Sequence, residues 1–192
     1  EDAAPDFITV DGGEGGTGAA PMPLMDLVGL PIREALPLMV DLRDKYGLRE
    51  RIRIIASGKL VNPSDVAWAI CAGADFVTCQ HSHVVGTEEQ YMHGKILYGQ
   101  GNTIFGYRSK STTWNEGLLV SINLTEDHNL VEHIPIKFKN GGAHLMNNGD
   151  QKNLFRTMKK RQKLSQSNEF LERSWDLFCE RAVSGYMLIN AF

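Results

Sequence analysis

Apolar and polar positions change period along this 192-residue chain. "FITV" (7–10), "RIRIIAS" (51–57) and "DFVTC" (75–79) are short apolar runs of strand length. Between the first two, "PIREALPLMVDLRDKY" sets Ile32, Leu36, Met39, Val40 and Leu42 at near-helical spacing, with Gly47 placed to cap the end. "NPSDVAWAICAGA" reads as a second helix, with Asn62 as its N-cap and Pro63 at its first position. Strand and helix alternate with short connections. That predicts a parallel sheet with right-handed crossovers.

After about residue 80 the pattern changes. "KILYGQGN", "GLLVSINLT" and "LVEHIPIKF" are strand-like runs separated by turns rather than helices, which predicts antiparallel or mixed pairing. From Asp150 onward the pattern is one or two amphipathic helices, with Leu154, Met158, Leu171, Trp175 and Phe178 as their apolar side. The basic cluster "KKRQK" (159–163) reads as a solvated helix face.

Composition narrows the field. Hydrophobic residues are 42% and charged residues 22%, ordinary for a globular protein with a sizeable core. A net charge of −3 gives no electrostatic case for nucleic acid or an anionic membrane. No apolar run approaches the ~20 residues a membrane span requires, and no signal-peptide pattern opens the chain. Cys71, Cys79 and Cys179 are too scattered for a disulfide framework or a four-thiolate zinc site. They are expected to be reduced and mostly buried, in a cytoplasmic protein.

Two stretches carry candidate chemistry. "DGGEGGTG" (11–18) follows the first strand. Backbone without Cβ atoms passes close to a flat ring or a phosphate, and successive N–H groups form an anion-binding hollow. Asp11 and Glu14 are placed to orient a ligand or a neighbouring loop. The next strand ends in "ASGK", where Ser57, Gly58 and Lys59 offer N–H groups, a hydroxyl and a positive charge. Glycine-rich turns also serve merely as connections. Two in register on successive parallel strands nevertheless match the phosphate-binding rim of a barrel.

"DFITVDGGEGGTGAAPMPLMDLVGLPIREAL" followed by "IRIIASGKLVNPSDVAWAICAGADFV" resembles the FMN-binding barrel of glutamate synthase, from about Asp6 to Val77. The resemblance implies part of a (βα)₈ barrel, here three parallel strands with their helices, and a small-molecule ligand. It implies reductive formation of glutamate from 2-oxoglutarate and ammonia or glutamine nitrogen. It also implies that Gly12, Gly13, Gly15 and Gly16 face the flavin, and that Ser57, Gly58 and Lys59 lie near its phosphate. The closing phosphate loop and the cysteines of an iron–sulfur cluster do not follow Val77, so no cluster is expected.

Instead comes "TCQHSHVVG". On an extended segment the i, i+2 spacing turns His81 and His83 to one side, where two imidazoles can share a divalent metal. An isolated pair of this kind is more often two histidines hydrogen-bonding at a strand end. "GADFVTCQHSHVVGTEEQYMHGKILYGQGNTIFG", with "GLLVSI" after it, resembles the C-terminal half of the capsule-synthesis CapA family, associated with poly-γ-glutamate and the metallophosphatase fold. That resemblance makes His81 and His83 metal ligands and puts Asn102 at a characteristic "GN" position with no assigned role. The upstream half of that site is absent.

The two resemblances meet in "AGADFV" (72–77). They predict a chimera: residues 1–77 an incomplete FMN barrel, and residues 78–192 a mixed-sheet α+β segment with C-terminal helices. Three functional readings follow: a glutamate synthase fragment, a CapA-like metallophosphatase fragment, or a non-catalytic fusion. Unclosed sheet edges and faces not shaped for each other predict self-association.

Overall fold

The three apolar runs form β1 (Phe7–Val10), β2 (Arg53–Ala56) and β3 (Phe76–Thr78), paired parallel in that order. The computed structural model describes residues 5–13, 21, 24, 28–105, 112–124 and 129–189. The crossovers are α1 (Ile32–Lys45) and α2 (Pro63–Cys71), as the spacing of apolar residues predicts. Asn62 caps α2 by accepting a hydrogen bond from the Asp65 N–H at 2.9 Å, and Pro63 opens the helix. The expected β-α-β-α-β unit is present.

The sheet continues past residue 77. β4 (Glu88–Tyr91) and β5 (Gly94–Leu97) form an antiparallel hairpin, and β5 pairs parallel with β3, giving the order β1-β2-β3-β5-β4. Val10, Ala56, Val77 and Ile96 stand in register across the four parallel strands. With Ile54 they form one core with Ile32, Leu36 and Val40 of α1 and Val66, Ala69 and Ile70 of α2. Residues on either side of the 77/78 boundary therefore share a sheet and a core.

The opposite face of this sheet meets a second one, the antiparallel β6 (Glu116–Leu124), β7 (Asn129–Lys139) and β8 (Gly142–Leu145). Phe7, Ile55, Phe76 and Leu97 line one wall, and Leu118, Val120 and Ile122 the other, of a cleft of about 800 Å³. This α/β arrangement with a mixed continuation and C-terminal helices is the predicted class. β4 and β8 were not predicted, because "EEQY" and "GAHL" carry too few apolar residues to register as strands.

One residue of the predicted α1 face is displaced. Leu42 is exposed, and Arg43 is buried in its place at 4% exposure, completing the 32-36-40-43 stripe. The Arg43 guanidinium donates from Nε to Asp44 Oδ1 (2.8 Å) and from Nη1 to Asp75 Oδ2 (3.2 Å). Asp75 Oδ2 also accepts the Ile54 N–H at 2.8 Å, so this carboxylate ties α1 to β2 just before β3 begins. The Arg43 hydrogen bond, reinforced by the charges of Arg43 and Arg49, holds the exposed Asp44 carboxyl below its usual range.

Met146 ends the first of two compact units, Glu1–Met146 and Asn147–Phe192. The second unit is the helix pair α3 (Asn148–Ser165) and α4 (Asn168–Ile189). Asn147 caps α3 by accepting the Asp150 N–H at 2.9 Å. Of the predicted apolar side, Leu154 is buried and Met158 half-buried, but Leu171, Trp175 and Phe178 are exposed. Two helices have a single mutual seam, and the Trp175 and Phe178 rings stack on each other at 5.6 Å instead. The cysteines are free as expected but less buried: Cys71 is exposed, and Cys79 and Cys179 are half-buried. Among the described residues no helix is long and apolar enough to cross a membrane.

The Asp75 tie sets a stability test. Asp75→Ala leaves Nη1 of the buried Arg43 and the Ile54 N–H without their acceptor, and should lower unfolding free energy by about 2–4 kcal/mol. Arg49→Ala, removing the exposed 3.2 Å partner of Asp44, should cost less than about 1 kcal/mol. Urea midpoints of the two variants check the contrast; equal losses would defeat it.

Candidate functional site

Four parallel strands deliver the segments that follow them to one edge. Residues 11–13 follow β1, 57–59 follow β2, 79–83 follow β3 and 98–102 follow β5, in that spatial order. The carboxyl edge of a parallel sheet is where ligands of such folds bind. Both predicted sites therefore lie on one edge, side by side.

In the glycine pair of loops, the Gly13 N–H donates to the Leu30 carbonyl at 2.6 Å. A Cβ on Gly13 would overlap the Gly29 backbone, so these two glycines let the loop and the "GLP" turn touch. The Ser57 N–H donates to Val10 O at 2.9 Å, tying the second loop to the end of β1. Gly58 and Lys59 follow with φ of 87° and 48°, both left-handed. Gly12 has φ 68°; Glu14, Gly15 and Gly16 lie outside the described residues.

The histidine pair differs from expectation in its backbone. Residues 80–83 form a turn closed by the His83 N–H donating to Gln80 O at 3.0 Å, and His83 has φ 54°. The extended segment that would aim both rings to one side is absent, because the chain leaves the sheet after the Cys79 N–H reaches Leu97 O at 2.9 Å. His81 is exposed and its ring centroid is 6.4 Å from that of His83. Among the described residues no group of three or more His, Cys, Asp or Glu is gathered to hold a metal ion.

His83 sits in a built environment that sequence reasoning missed. Its ring packs against Phe105 at 4.9 Å and Trp114 at 5.1 Å, and these two meet edge-on at 5.4 Å. Its Nδ1 lies 2.8 Å from Oδ1 of Asn102, a residue only 6% exposed. Asn102 Nδ2 donates to His83 O (3.1 Å) and to Trp114 O (2.8 Å). Segment 99–102 is threaded between two others: Gly86 N–H donates to Gly99 O at 2.9 Å, and Asn102 N–H to Glu116 O at 3.1 Å. A Cβ on Gly101, at φ 68°, would overlap Glu116 O, and one on Gly117 would overlap Asn102 O. The glycines of "GQGN" thus seat Asn102 against the start of β6.

Two further polar groups went unread. Glu88 of β4 meets His133 Nε2 of β7 at 2.9 Å and Lys95 Nζ of β5 at 3.2 Å, linking the two sheets. Burial raises the Glu88 carboxyl, but the hydrogen bonds and charges of His133 and Lys95 outweigh it and hold it below its ordinary 4.5. Tyr98 donates to Glu89 at 2.6 Å, and burial, with that carboxylate, pushes the phenol well up. Cys79 stands nearby, its thiol raised by burial, in a smaller cleft of about 460 Å³ beside the start of α2.

Comparison with known proteins agrees with the first of the two resemblances. Residues 1–93 match the model of a conserved region in glutamate synthase. The first part of the chain is glutamate synthase-like. A glutamate synthase large subunit-like protein, YerD, of Bacillus subtilis is 58% identical over 73 residues, 38% of this chain and 14% of that protein. An archaeal-type glutamate synthase (NADPH) of Dehalococcoides mccartyi is 41% identical over 101 residues, 50% of this chain and 20% of that protein. A glutamate synthase large subunit-like protein of Rhizobium meliloti is 28% identical over 132 residues, 69% of this chain and 29% of that protein. The chain thus spans less than a third of the length of each of these relatives, and the glutamate synthase match runs past Val77 to residue 93.

Two measurements probe the edge. Gly47 and Gly101 share a φ near 67°, but a Cβ on Gly47 meets nothing within 4 Å. Gly47→Ala should cost about 1 kcal/mol for the left-handed backbone, and Gly101→Ala about 1–3 kcal/mol more for the overlap with Glu116 O. Equal thermal shifts would refute that placement of Gly101. For Glu88, the folded value lies below the unfolded one. Its contribution is complete above pH 4.5 and is lost as pH falls through the folded value. The stability gap between the wild type and Glu88→Gln should therefore shrink below that pH; a gap unchanged down to about pH 3 would exclude the contact.

Proposed function

We propose that the chain carries the phosphate side of a flavin mononucleotide site of the glutamate synthase type. The observation that carries this is the adjacency of loops 11–13 and 57–59 at the carboxyl edge of β1 and β2, joined by the Ser57 N–H on Val10 O. The residues fit a phosphate in part. The Ser57 hydroxyl, the Gly58 backbone and the Lys59 ammonium would hold the anion, while the Gly13 and Ser57 N–H groups serve the Leu30 and Val10 carbonyls. Gly12, with Gly15 and Gly16, would let the loop lie against the ring system. FMN itself supplies hydride chemistry; reductive formation of glutamate belongs to this proposal as the activity of the whole enzyme type. Two loops form a half-site, so affinity should be weak.

A second reading applies to the other half of the edge. In it, residues 78–192 are a partial CapA-like, metallophosphatase-type segment with a helical tail, joined to the first near 72–77. His81 and His83 are its imidazole donors to a divalent metal. The held ring of His83 favours it, since metal-binding imidazoles are characteristically oriented through their second nitrogen. The wide cleft between the two sheets favours a fusion whose faces do not interdigitate. The outer edge of β1, paired on one side among the described residues, is where such a fusion would self-associate.

Riboflavin separates phosphate recognition from ring stacking. Fluorescence quenching should show FMN binding more tightly than riboflavin, and Lys59→Gln should weaken FMN about tenfold while leaving riboflavin unchanged. Equal affinities for the two flavins, or insensitivity to Lys59→Gln, would remove the phosphate half-site.

A further inference from the structure

We infer that Asn102 is a positioning residue for His83: it fixes the neutral imidazole as the Nδ1–H tautomer and so makes Nε2 the nitrogen that His83 presents. The argument is one of donors and acceptors. Asn102 Nδ2 lies 3.1 Å from His83 O and 2.8 Å from Trp114 O. Both partners are carbonyls, which only accept, so the amide nitrogen must be at that end of the side chain. The other end is then Oδ1, which also only accepts. It lies 2.8 Å from His83 Nδ1, so the proton on that bond belongs to the imidazole. A neutral ring with its proton on Nδ1 carries its lone pair on Nε2.

Several groups hold the orientation. Asn102 grips residue 83 twice, at its carbonyl and at its ring. Phe105 and Trp114, in edge contact with each other, both pack against the imidazole and hinder its rotation. Asn102 itself is 6% exposed, so a rotated amide would leave buried carbonyls facing an oxygen. Its backbone is fixed by the N–H bond to Glu116 O at 3.1 Å. Among the described residues, two of the three side-chain hydrogen bonds of this buried asparagine go to His83, one of them to its ring. The glutamate synthase-like features of the chain play no part in this, which concerns the edge beyond β3 and β5.

The tautomer rests on geometry alone; the use of Nε2 as a metal donor rests on the second reading above. The experiment keeps the two apart. Long-range ¹H–¹⁵N correlation of histidine side chains is recorded on the whole metal-free protein, with the His83 signals assigned by their loss in His83→Gln. We expect a protonated-type Nδ1 and a lone-pair-type Nε2 for His83. Asn102→Ala should convert this to mixed tautomers. Asn102→Asp keeps an acceptor for the Nδ1 proton while losing both donors to the carbonyls, so it should retain the Nδ1–H signature even though it is less stable. A purely structural asparagine would show loss of stability in both variants with the same tautomer throughout. His83 with its proton on Nε2 in the wild type, or an Nδ1–H signature unchanged by Asn102→Ala, overturns the inference. Should Asn102→Ala not fold, the wild-type spectrum and Asn102→Asp still decide it. Titration with Zn²⁺ alone then tests the metal reading, with a 10–100-fold weaker affinity expected where the Nδ1–H form is lost. Absence of zinc binding with the Nδ1–H signature intact would end the metal reading and leave the tautomer assignment standing.

Discussion

Parallel pairing across β1, β2, β3 and β5 is the constraint from which the rest of the first unit follows. Val10, Ala56, Val77 and Ile96 stand in one row of that ladder, covered by α1 and α2. A parallel neighbour can be reached only by a crossover, so each strand must hand its chain to the same edge. That single geometric requirement collects two glycine loops and the segments bearing His83 and Asn102 along one line. Neither site needs the other for this placement. They are neighbours because the backbone leaves them no alternative.

What could be read in advance was what local physics decides. α1 and α2 announce themselves by spacing and by the Asn62 cap, and β1 to β3 by compact apolar runs. β4 was invisible because an edge strand with Glu88, Glu89 and Gln90 gains its regularity from its partner, and charges on an edge also discourage further pairing. The pairing of β3 with β5 was invisible for a different reason. It is a backbone contact, indifferent to the change of side-chain period near residue 77, so a shift in pattern looked like a break where the sheet is continuous. Arg43 was missed because a buried guanidinium occupies a helix stripe that only apolar residues were expected to fill.

The site was legible in its residue types and much less in its geometry. Gly13 signals a close approach, but part of that approach is to the Gly29 backbone rather than to a ligand. The H-x-H spacing promises one shared direction only if the backbone is extended, and the turn at 80–83 removes that premise. Asn102 offered the opposite lesson. Read from "GQGN" it had no assigned role, yet burial forces its side-chain polar atoms to find partners, and both ends of the amide reach His83.

The face that a closed barrel would turn inward is here met by β6, with Leu118, Val120 and Ile122 opposite Phe7, Ile55, Phe76 and Leu97. Sheet-on-sheet cover replaces closure, and the cleft of about 800 Å³ left between them means that cover is partial. The helical face, by contrast, is closely filled: Leu36, Ile54, Ala56, Ala69, Ile70 and Val77 are all fully buried. The stability of the edge must therefore come chiefly from the helical side. A lesion in the shared row, at Val77 for example, acts on both loop pairs together, because it loosens the ladder that aligns them. A lesion at Gly101 acts on the imidazole side alone, because it moves only the segment lying against β6. Whichever reading of function holds, the two halves of the edge are coupled through the core beneath them and are separable in the loops above it.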